Sequence, residues 1–288
     1  MSELIHYSSD DDCQHCLHFF AASEVDTNAP IVLLFPAMGV KAPYYFKLAE
    51  SLNDLGLHFA CTDLRGNGPM HQQPSWGYNF GYAEMLKLDW PAAIQKIKQR
   101  YPDNPLYLMG HSLGGQLSAC YTAMNPKDVN GVIIIAAGNV HYKAFHHKWR
   151  TLFGTQFLSL SSHLFGYMPG NTLGFAGREA RQVMRDWAYN ARTGRYRIKL
   201  KTGYHLLDGY LTQLKRPVLA ISFDGDKFSP HSSMVKLLDK MPCAPKQHIR
   251  TSALEMDVAE IGHFSWVKHT EKLAPKIHQW IQQSHING

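Results

Sequence analysis

Cysteine, charged residues and long apolar runs are all scarce in this sequence. The chain has 288 residues, of which five are cysteines and 18% are charged. A chain of this length can bury a sizeable core without disulfide bonds. Its longest apolar run, Gly131 to Ala137, is much shorter than the roughly 20 residues needed to span a bilayer. The composition therefore predicts a globular protein and excludes membrane-spanning, collagen-like, coiled-coil and disordered classes.

The start of the chain lacks both the basic residues and the apolar stretch of a secretory signal. The five cysteines are therefore expected to be reduced thiols in a cytoplasmic protein. Cys13, His15, Cys16 and His18 lie close together in the sequence and invite comparison with a zinc site. A closed zinc site needs four ligands, and no second CxxC or HxxxH pair is present to complete one. Neither a metal nor an organic cofactor is expected.

Positive charge is concentrated in one part of the chain. Residues 140–216 contain thirteen lysines and arginines but three acidic residues, whereas the whole chain has 29 basic and 23 acidic residues. Such a segment could attract an anionic substrate or make weak contact with a membrane surface. It could equally be a solvated helical face. No nucleic-acid-binding module is recognisable, so no nucleic-acid partner is expected.

Short apolar segments alternate with helical patterns along most of the chain. This alternation predicts an α/β protein with a mostly parallel central sheet flanked by helices. The predicted strands are 31–35, 58–63, 106–109, 132–136, 218–223 and 248–253, and the predicted helices are 42–55, 82–101, 112–124, 232–241 and 266–284. The alternation stops at residues 140–214, where apolar clusters precede an arginine-rich part. We interpret this segment as a helical cap inserted into a core of residues 1–139 and 215–288.

The most informative motif is Gly110-His-Ser-Leu-Gly114, which lies between an apolar strand and a helical segment. This is the context of a nucleophile elbow, in which a strained turn between strand and helix exposes a serine hydroxyl above the sheet. Gly110 and Gly114 leave room for the close approach of strand and helix. The motif predicts Ser112 as a nucleophile.

A serine nucleophile needs a base, and the base needs an orienting acid, in the chain order serine, acid, histidine for this architecture. His263 follows the last predicted strand and is the expected base. Asp224 and Asp226 both follow the strand at 218–223 and compete for the role of acid. We favour Asp226, which lies just ahead of the next helix, and interpret Asp224 as a turn residue. His111 belongs to the elbow itself and is not expected to act as the base.

An oxyanion formed on the substrate would need two backbone N–H donors. One is expected from Leu113, directly after the nucleophile. The other should come from the loop at residues 36–39, where we expect the N–H of Met38. The glycine-rich turn at residues 63–68 is interpreted as structural, because no Lys-Ser/Thr pair follows it to bind a phosphate.

With these pieces in place, the sequence resembles the α/β-hydrolase superfamily from about Ile31 to Ile286. The matching segments are Gly110-His-Ser-Leu-Gly-Gly115, Asp63-Leu-Arg-Gly-Asn-Gly68, Asp226-Lys-Phe-Ser-Pro230 and Gly262-His263. They are most similar to serine-aminopeptidase-like and monoacylglycerol-lipase-like members. The resemblance implies Ser112, Asp226 and His263 as a catalytic triad and residues 140–214 as the cap. Pro36-Ala37 replaces the usual His-Gly of the oxyanion loop, and a serine at 112 argues against dehalogenases and epoxide hydrolases, which carry aspartate there.

These observations predict a serine hydrolase that cleaves a small carboxylic ester or thioester through an acyl-enzyme. Amide or peptide cleavage, as in aminopeptidases, is the alternative within the same chemistry. A non-catalytic ligand-binding protein on the same fold is an alternative from another class, although such a protein has no chemical need to keep a complete triad.

Substrate-binding residues are expected within the cap, although the sequence does not identify them individually. Large apolar side chains between Trp149 and Tyr167 could roof a hydrophobic pocket or pack the cap onto the sheet. Arg178, Arg181 and Arg185 fall on one stripe of a helix. This stripe predicts either an anionic group on the substrate or an anionic surface nearby.

Overall fold

The computed structural model describes residues 2–22 and 28–286. Met1, which belongs to the segment interpreted above as lacking a secretory signal, lies outside the described residues. The strands are β1 (Glu3–Ser8), β2 (Gln14–Phe20), β3 (Ile31–Phe35), β4 (His58–Thr62), β5 (Leu106–His111), β6 (Gly131–Ile135), β7 (Tyr167–Pro169), β8 (Arg178–Ala180), β9 (Arg197–Leu200), β10 (Gly203–Leu206), β11 (Val218–Phe223) and β12 (Lys246–Thr251). The α-helices are α1 (Phe46–Asn53), α2 (Tyr82–Glu84), α3 (Trp90–Arg100), α4 (Leu113–Met124), α5 (Lys148–Phe165), α6 (Gly170–Leu173), α7 (Arg181–Thr193), α8 (Asp208–Thr212), α9 (His231–Leu238) and α10 (Thr270–Ile286).

One central sheet organises the molecule, with the strand order β1-β2-β4-β3-β5-β6-β11-β12. β1 and β2 are antiparallel at one edge, β2 is antiparallel to β4, and all other pairings in this sheet are parallel. Every residue of β3, β4, β5, β6 and β11 is buried, as expected for parallel strands covered on both faces. The predicted α/β class with a mostly parallel sheet is confirmed.

Helices cover both faces of this sheet and bury one apolar cluster on each. On one face lie α3 and α4, where the ring of Trp90 stacks on Phe35 with centroids 3.7 Å apart. On the other face, α1 and α10 contribute Leu48 and Ile277 to a second cluster. Because both faces are closed, the chemistry is confined to the carboxyl ends of the parallel strands and the loops above them.

The six predicted strands are all present, each with boundaries within two residues of the prediction. The predicted helix at 82–101 is interrupted by a π-helical turn at Met85–Asp89, and Pro91 lies in the first turn of α3 as expected. The hairpin of β1 and β2 was not predicted. Its strands are only partly buried, and polar residues such as His15 and His18 occupy them, which obscures the apolar alternation of an edge strand.

The segment at residues 140–214 contains helices α5 to α8 and lies between β6 and β11 in the chain. It also contains two antiparallel ribbons, β7 with β8 and β9 with β10, which the expectation of a purely helical insertion did not include. These strands have three or four residues each, too few to produce a recognisable alternation in the sequence. Within the described residues, no helix is both long and apolar enough to cross a membrane.

Helix α5 has an unexpected orientation. Its large apolar side chains could have packed the cap onto the sheet, yet most of them face outward. Five of them, spaced three or four residues apart, are 60–67% exposed: Trp149, Phe153, Phe157, Leu160 and Leu164. The buried side chains of the helix are instead Thr155, Ser161 and Ser162. For these five residues the core-packing interpretation is wrong.

Candidate active site

Ser112 lies in the turn between β5 and α4, with φ 52° and ψ −116°. A non-glycine residue in this region of backbone space carries strain of about 1–3 kcal/mol. The strained turn is held by two backbone hydrogen bonds, from the N–H of Ser112 to the carbonyl of Ile135 at 3.2 Å and from the N–H of Gly114 to the carbonyl of Pro36 at 3.2 Å. The geometry is that of the predicted nucleophile elbow.

Two glycines make this turn possible. A Cβ atom on Gly110 would lie 2.3 Å from the carbonyl carbon of Gly114, and a Cβ atom on Gly114 would lie 2.1 Å from the carbonyl oxygen of Phe35. Both contacts are with backbone atoms, so a side chain could be accommodated only by moving the strand or the helix. The steric reason inferred for these glycines from the sequence is confirmed by the packing.

His263 and Asp226 meet above the carboxyl end of β11. The Nδ1 atom of His263 lies 2.8 Å from one carboxylate oxygen of Asp226, and both side chains are buried. The other oxygen of Asp226 accepts hydrogen bonds from the N–H groups of Phe228 at 2.8 Å and Ser229 at 2.7 Å. The carboxylate is therefore fixed on both sides. A proton on Nδ1 facing Asp226 leaves Nε2 of His263 as the basic nitrogen.

Asp224, the competing acid, lies elsewhere. Its carboxylate pairs with the guanidinium of Arg250, and both side chains are substantially exposed to solvent. Asp224 therefore makes a surface ion pair, whereas Asp226 contacts the imidazole. The choice of Asp226 as the acid stays a prediction, and these contacts support it.

His111 lies behind His263, with ring centroids 4.9 Å apart, and is completely buried. The hydroxyl of Tyr45 accepts the N–H of Ala37 at 3.0 Å and lies 2.8 Å from Nδ1 of His111. Burial lowers the pKa of His111 well below its usual value, and the neighbouring His263 lowers it further. A neutral His111 thus links the loop at residues 36–39 to the back of His263 through Tyr45. This connection could not be predicted from the sequence.

Met38 and Leu113, the two expected oxyanion donors, line the same cavity as Ser112 and His263. The loop that carries Met38 continues into Gly39, whose φ is +73°. A Cβ atom on Gly39 would lie 2.4 Å from the backbone nitrogen of Gly177. The loop at residues 36–39 is therefore packed directly against the segment at residues 140–214.

Glu179 anchors this junction. Its side chain is 1% exposed, accepts hydrogen bonds from the backbone N–H groups of Gly39 and Gly177, and lies 3.4 Å from the amide nitrogen of Asn67. Burial raises the pKa of Glu179 to about 7, against the lowering effect of these donors. The sequence analysis missed this residue, and the only available signal was its rarity as one of three acidic residues in a basic segment.

The comparison with known families agrees with this geometry. A family model described as serine aminopeptidase, S33, matches residues 26–252. The chain belongs to this family. The expected membership of the α/β-hydrolase superfamily is thereby confirmed, together with the fold.

The sequences of individual relatives differ strongly from that of this family member. The chloroplastic pheophytinase of Arabidopsis thaliana is 27% identical over 146 residues, which are 42% of this chain and 30% of that protein. The monoglyceride lipase of Mus musculus is 27% identical over 112 residues, 38% of this chain and 36% of the lipase. The match thus spans about a third of each relative's length. A solved structure of DcsB in complex with its substrate analogue has a TM-score of 0.70 at 15% identity, covering 99% of this chain and 100% of that one, which shows a shared fold.

In this member of the family, the cavity above Ser112 has a volume of about 120 Å³ and mostly apolar walls. The segment at residues 140–214 contributes Val140, Phe175 and Trp187 to them, and the loop after β11 contributes Phe228. The other lining residues are Ala37, Met38, Leu113, Gln116, Gly138, Gly174, Ala176, Ser229, His263 and Phe264. None of these residues carries a permanent charge. The cap residues among them are the ones that the sequence analysis could not name individually.

The predicted stripe of three arginines on one helix is wrong, because Arg178 lies in β8 and α7 begins only at Arg181. None of the three arginines lines the cavity. The guanidinium of Arg178 lies 3.7 Å from the ring centroid of Tyr167, and its Nε donates to the carbonyl of Pro74 at 2.8 Å. The guanidinium of Arg181 lies 4.8 Å from the ring centroid of Trp76. These two arginines contact aromatic rings and backbone outside the cavity, and so do not present charge to a substrate bound there.

Cys13 and His15, considered above as zinc ligands, meet a third residue, His71. One ligand atom from each of the three lies within 4.8 Å of the other two. The N–H of Gly68 donates to Nδ1 of His71 at 3.0 Å, which places the proton of His71 on Nε2, 3.1 Å from Nδ1 of His15. His15 in turn faces Asp89, with Nε2 3.3 Å from the carboxylate. The two imidazoles therefore form a hydrogen-bonded chain, and the contribution of His71 was not visible in the sequence.

Proposed function

We propose that this chain is a serine hydrolase that cleaves a carboxylic ester or thioester, with Ser112 as nucleophile, His263 as base and Asp226 as orienting acid. The observation that carries the proposal is the buried contact of 2.8 Å between His263 and Asp226 at the cavity that also contains the strained Ser112. Such an arrangement has a clear chemical use, because the aspartate keeps the imidazole in the tautomer that can accept the serine proton.

In the proposed reaction, His263 takes the proton of Ser112 as the serine oxygen attacks the acyl carbon. The carbonyl oxygen becomes an oxyanion, which would accept hydrogen bonds from the N–H groups of Leu113 and Met38. Collapse of this intermediate transfers the proton from His263 to the departing alcohol or thiol and leaves the acyl group on Ser112. Water then enters, His263 removes its proton, and the acid is released while Ser112 regains its hydrogen.

The lining of the cavity favours a neutral, apolar acyl group. Phe175, Trp187 and Phe228 present aromatic surface there, whereas the polar lining groups are few. Similarity to a monoglyceride lipase is consistent with such a substrate. We further propose that residues 140–214 act as the cap, since this segment supplies Phe175 and Trp187 to the walls.

Peptide cleavage, the alternative suggested by the family's description, is less well supported by the cap. An aminopeptidase needs carboxylates placed to bind a free amino terminus. Of the three acidic cap residues, Glu179 and Asp186 are buried and hydrogen-bonded within the protein, and Asp208 pairs with Lys240. None of the three lines the cavity above Ser112. These placements favour an ester or thioester over a peptide.

The proposed location is the cytoplasm, supported by five free cysteines.

The proposal as a whole is tested by labelling the protein with a fluorophosphonate probe and assaying esters, thioesters and anilides of matched acyl chains. Wild type should react with the probe and prefer esters or thioesters, while Ser112→Ala should do neither. Ser232→Ala, at an exposed serine of α9, serves as the matched control. A folded wild-type chain that never reacts with the probe would favour a ligand-binding protein instead.

A further inference from the structure

The outer face of α5 carries five exposed apolar side chains that neither the fold nor the candidate site explains. Its five outward residues, Trp149, Phe153, Phe157, Leu160 and Leu164, recur every three or four positions and so form one stripe along the helix. We call them the α5 stripe. Contiguous apolar patches beyond a few hundred Å² are uncommon on soluble monomers and mark interaction surfaces.

Two lysines lie near the start of this stripe. Lys143 and Lys148 are on or just before the first turn of α5, and both are exposed. No aspartate or glutamate occurs between Asp128 and Glu179 in the sequence. The surface around the α5 stripe therefore combines apolar side chains with uncompensated positive charge near one end.

The other end of α5 is also flanked by an aromatic ring and a cation. Trp76 is 62% exposed and lies against Gly166, directly after the helix, with Arg181 over its ring. Trp149 is the corresponding exposed tryptophan near the start of α5. Tryptophan is favoured at the boundary between lipid headgroups and acyl chains, because its ring is apolar and its N–H is polar.

The inner face of α5 leads toward the active site. A groove of about 850 Å³ runs beneath the helix and is lined on that side by Arg150, Gly154 and Leu158. Phe175, Trp187 and Phe228 form walls of both this groove and the cavity above Ser112. One helix thus presents the α5 stripe outward and covers, on its opposite face, a groove that adjoins the catalytic cavity.

We propose that α5 docks on an anionic lipid bilayer, with the α5 stripe buried at the level of the headgroups and the surrounding cations paired with lipid phosphates. A helix of this kind lies in the plane of the interface with its apolar face about 5–10 Å deep. The proposal extends the proposed function, since it brings the groove to a surface from which a lipid ester could enter. It does not require that such an ester be the substrate.

Charge distinguishes a bilayer from a second copy of the chain. A symmetric dimer would bring the same face of two protomers together. A parallel arrangement of the two helices would place the cations around Lys148 against their own images, and an antiparallel arrangement would place them near Arg181 of the other copy. No carboxylate is available between residues 128 and 179 to relieve either repulsion. Anionic headgroups provide the missing negative charge.

The test measures sedimentation of the full chain with vesicles of phosphatidylcholine, with and without phosphatidylglycerol. Wild type should bind both and prefer the anionic vesicles. The variant F153S/F157S/L160S should lose about 100-fold in partitioning, because three large apolar groups no longer enter the interface. Leu254→Ser, at an 89% exposed leucine far along the chain, is the matched control and should bind as wild type does. K143Q/K148Q should lose about 10-fold of the preference for anionic vesicles.

Two further measurements separate this proposal from the proposed function. The F153S/F157S/L160S variant should hydrolyse a soluble short-chain ester as wild type does, since none of its three positions lines the cavity or the groove. Light scattering gives the oligomeric state of both proteins, and a monomeric wild type supports the proposal. Equal vesicle binding by wild type and this variant would overturn it, as would a wild-type dimer that the variant dissolves. If the wild-type protein does not hydrolyse the soluble ester, the proposed function is refuted, whereas the result on vesicle binding is unaffected.

Discussion

Glu179 should make the stability of this protein depend on pH in a direction opposite to that of an ordinary paired carboxylate. Its carboxyl group is buried between the loop at residues 36–39 and the cap, and burial raises its pKa from 4.5 to about 7. In the unfolded chain the group loses its proton near pH 4.5, whereas in the folded protein it keeps the proton until about pH 7. The folded state is therefore favoured by proton binding throughout this interval.

The size of the effect follows from the shift. Each pKa unit corresponds to about 1.4 kcal/mol, so a rise from 4.5 to about 7 corresponds to about 3 kcal/mol. This contribution to the free energy of unfolding is fully present below pH 4.5, declines as the pH rises, and is lost above about pH 7. Glu179→Gln has no proton to release. Relative to wild type, this variant should thus gain about 3 kcal/mol in the free energy of unfolding between pH 4.5 and pH 8.

Urea unfolding followed by tryptophan fluorescence, at a series of pH values for both proteins, provides the measurement. The difference between the two curves isolates Glu179 from other groups, including Asp186, whose pKa is also raised to about 7 by burial. Glu50→Gln, at an exposed glutamate of α1, is the matched control and should follow wild type at every pH. If the Glu179→Gln curve runs parallel to that of wild type, the carboxyl group does not hold its proton in the folded state and the reasoning fails.

Three further predictions concern the site. Ser112→Ala should lower kcat by about 10⁴-fold or more without unfolding the chain, and adding His263→Ala should cost little beyond that, because triad members act as a unit; near-native esterase activity in Ser112→Ala would contradict the assignment. Asp226→Asn should lower kcat by about 10⁴-fold through loss of the correct tautomer of His263, whereas Asp224→Asn should change it less than about 3-fold; the reverse ranking would move the acid to Asp224. Tyr45→Phe removes one hydroxyl that joins Ala37 to His111, so kcat should fall by about 10-fold with little change in KM; an unchanged kcat would show that this link is not needed to position the site.

The central sheet could be predicted from the sequence because its strands are buried on both faces. Segments such as Val218–Phe223 are continuously apolar and bounded by turn residues, so a local pattern is enough to identify them. The nucleophile elbow could also be predicted, since the residues that its tight turn requires, Gly110, Ser112 and Gly114, lie within five positions of the sequence. The sequence favoured Asp226 over Asp224 from its place ahead of the next helix, but the contact of Asp226 with His263, 37 residues away, is visible only in the structure.

What the sequence could not supply are contacts between distant segments. Glu179 is hydrogen-bonded to the backbone of Gly39, which is distant in the sequence, and His71 lies beside His15, from which 56 residues separate it. The sequence also did not predict which face of α5 is buried. A helix with aromatic and aliphatic residues at regular spacing is normally read as packing inward, and nothing local in the sequence indicates that Thr155 and Ser162 form the buried side instead.

The close packing of Gly39 against Gly177 limits how this enzyme fold can be rebuilt. Because function is set by the site carried on a fold, exchanging residues 140–214 while leaving the core unchanged is a direct way to alter substrate preference. Here the loop that carries Met38 packs against Gly177 and is hydrogen-bonded to Glu179. A transplanted segment would remove these contacts beside one proposed oxyanion donor while leaving Ser112, Asp226 and His263 in place. A chimera would need to transfer residues 36–39, Asn67 and the new cap together. Directed evolution of residues 140–214 alone should therefore yield variants that bind substrate but turn it over slowly.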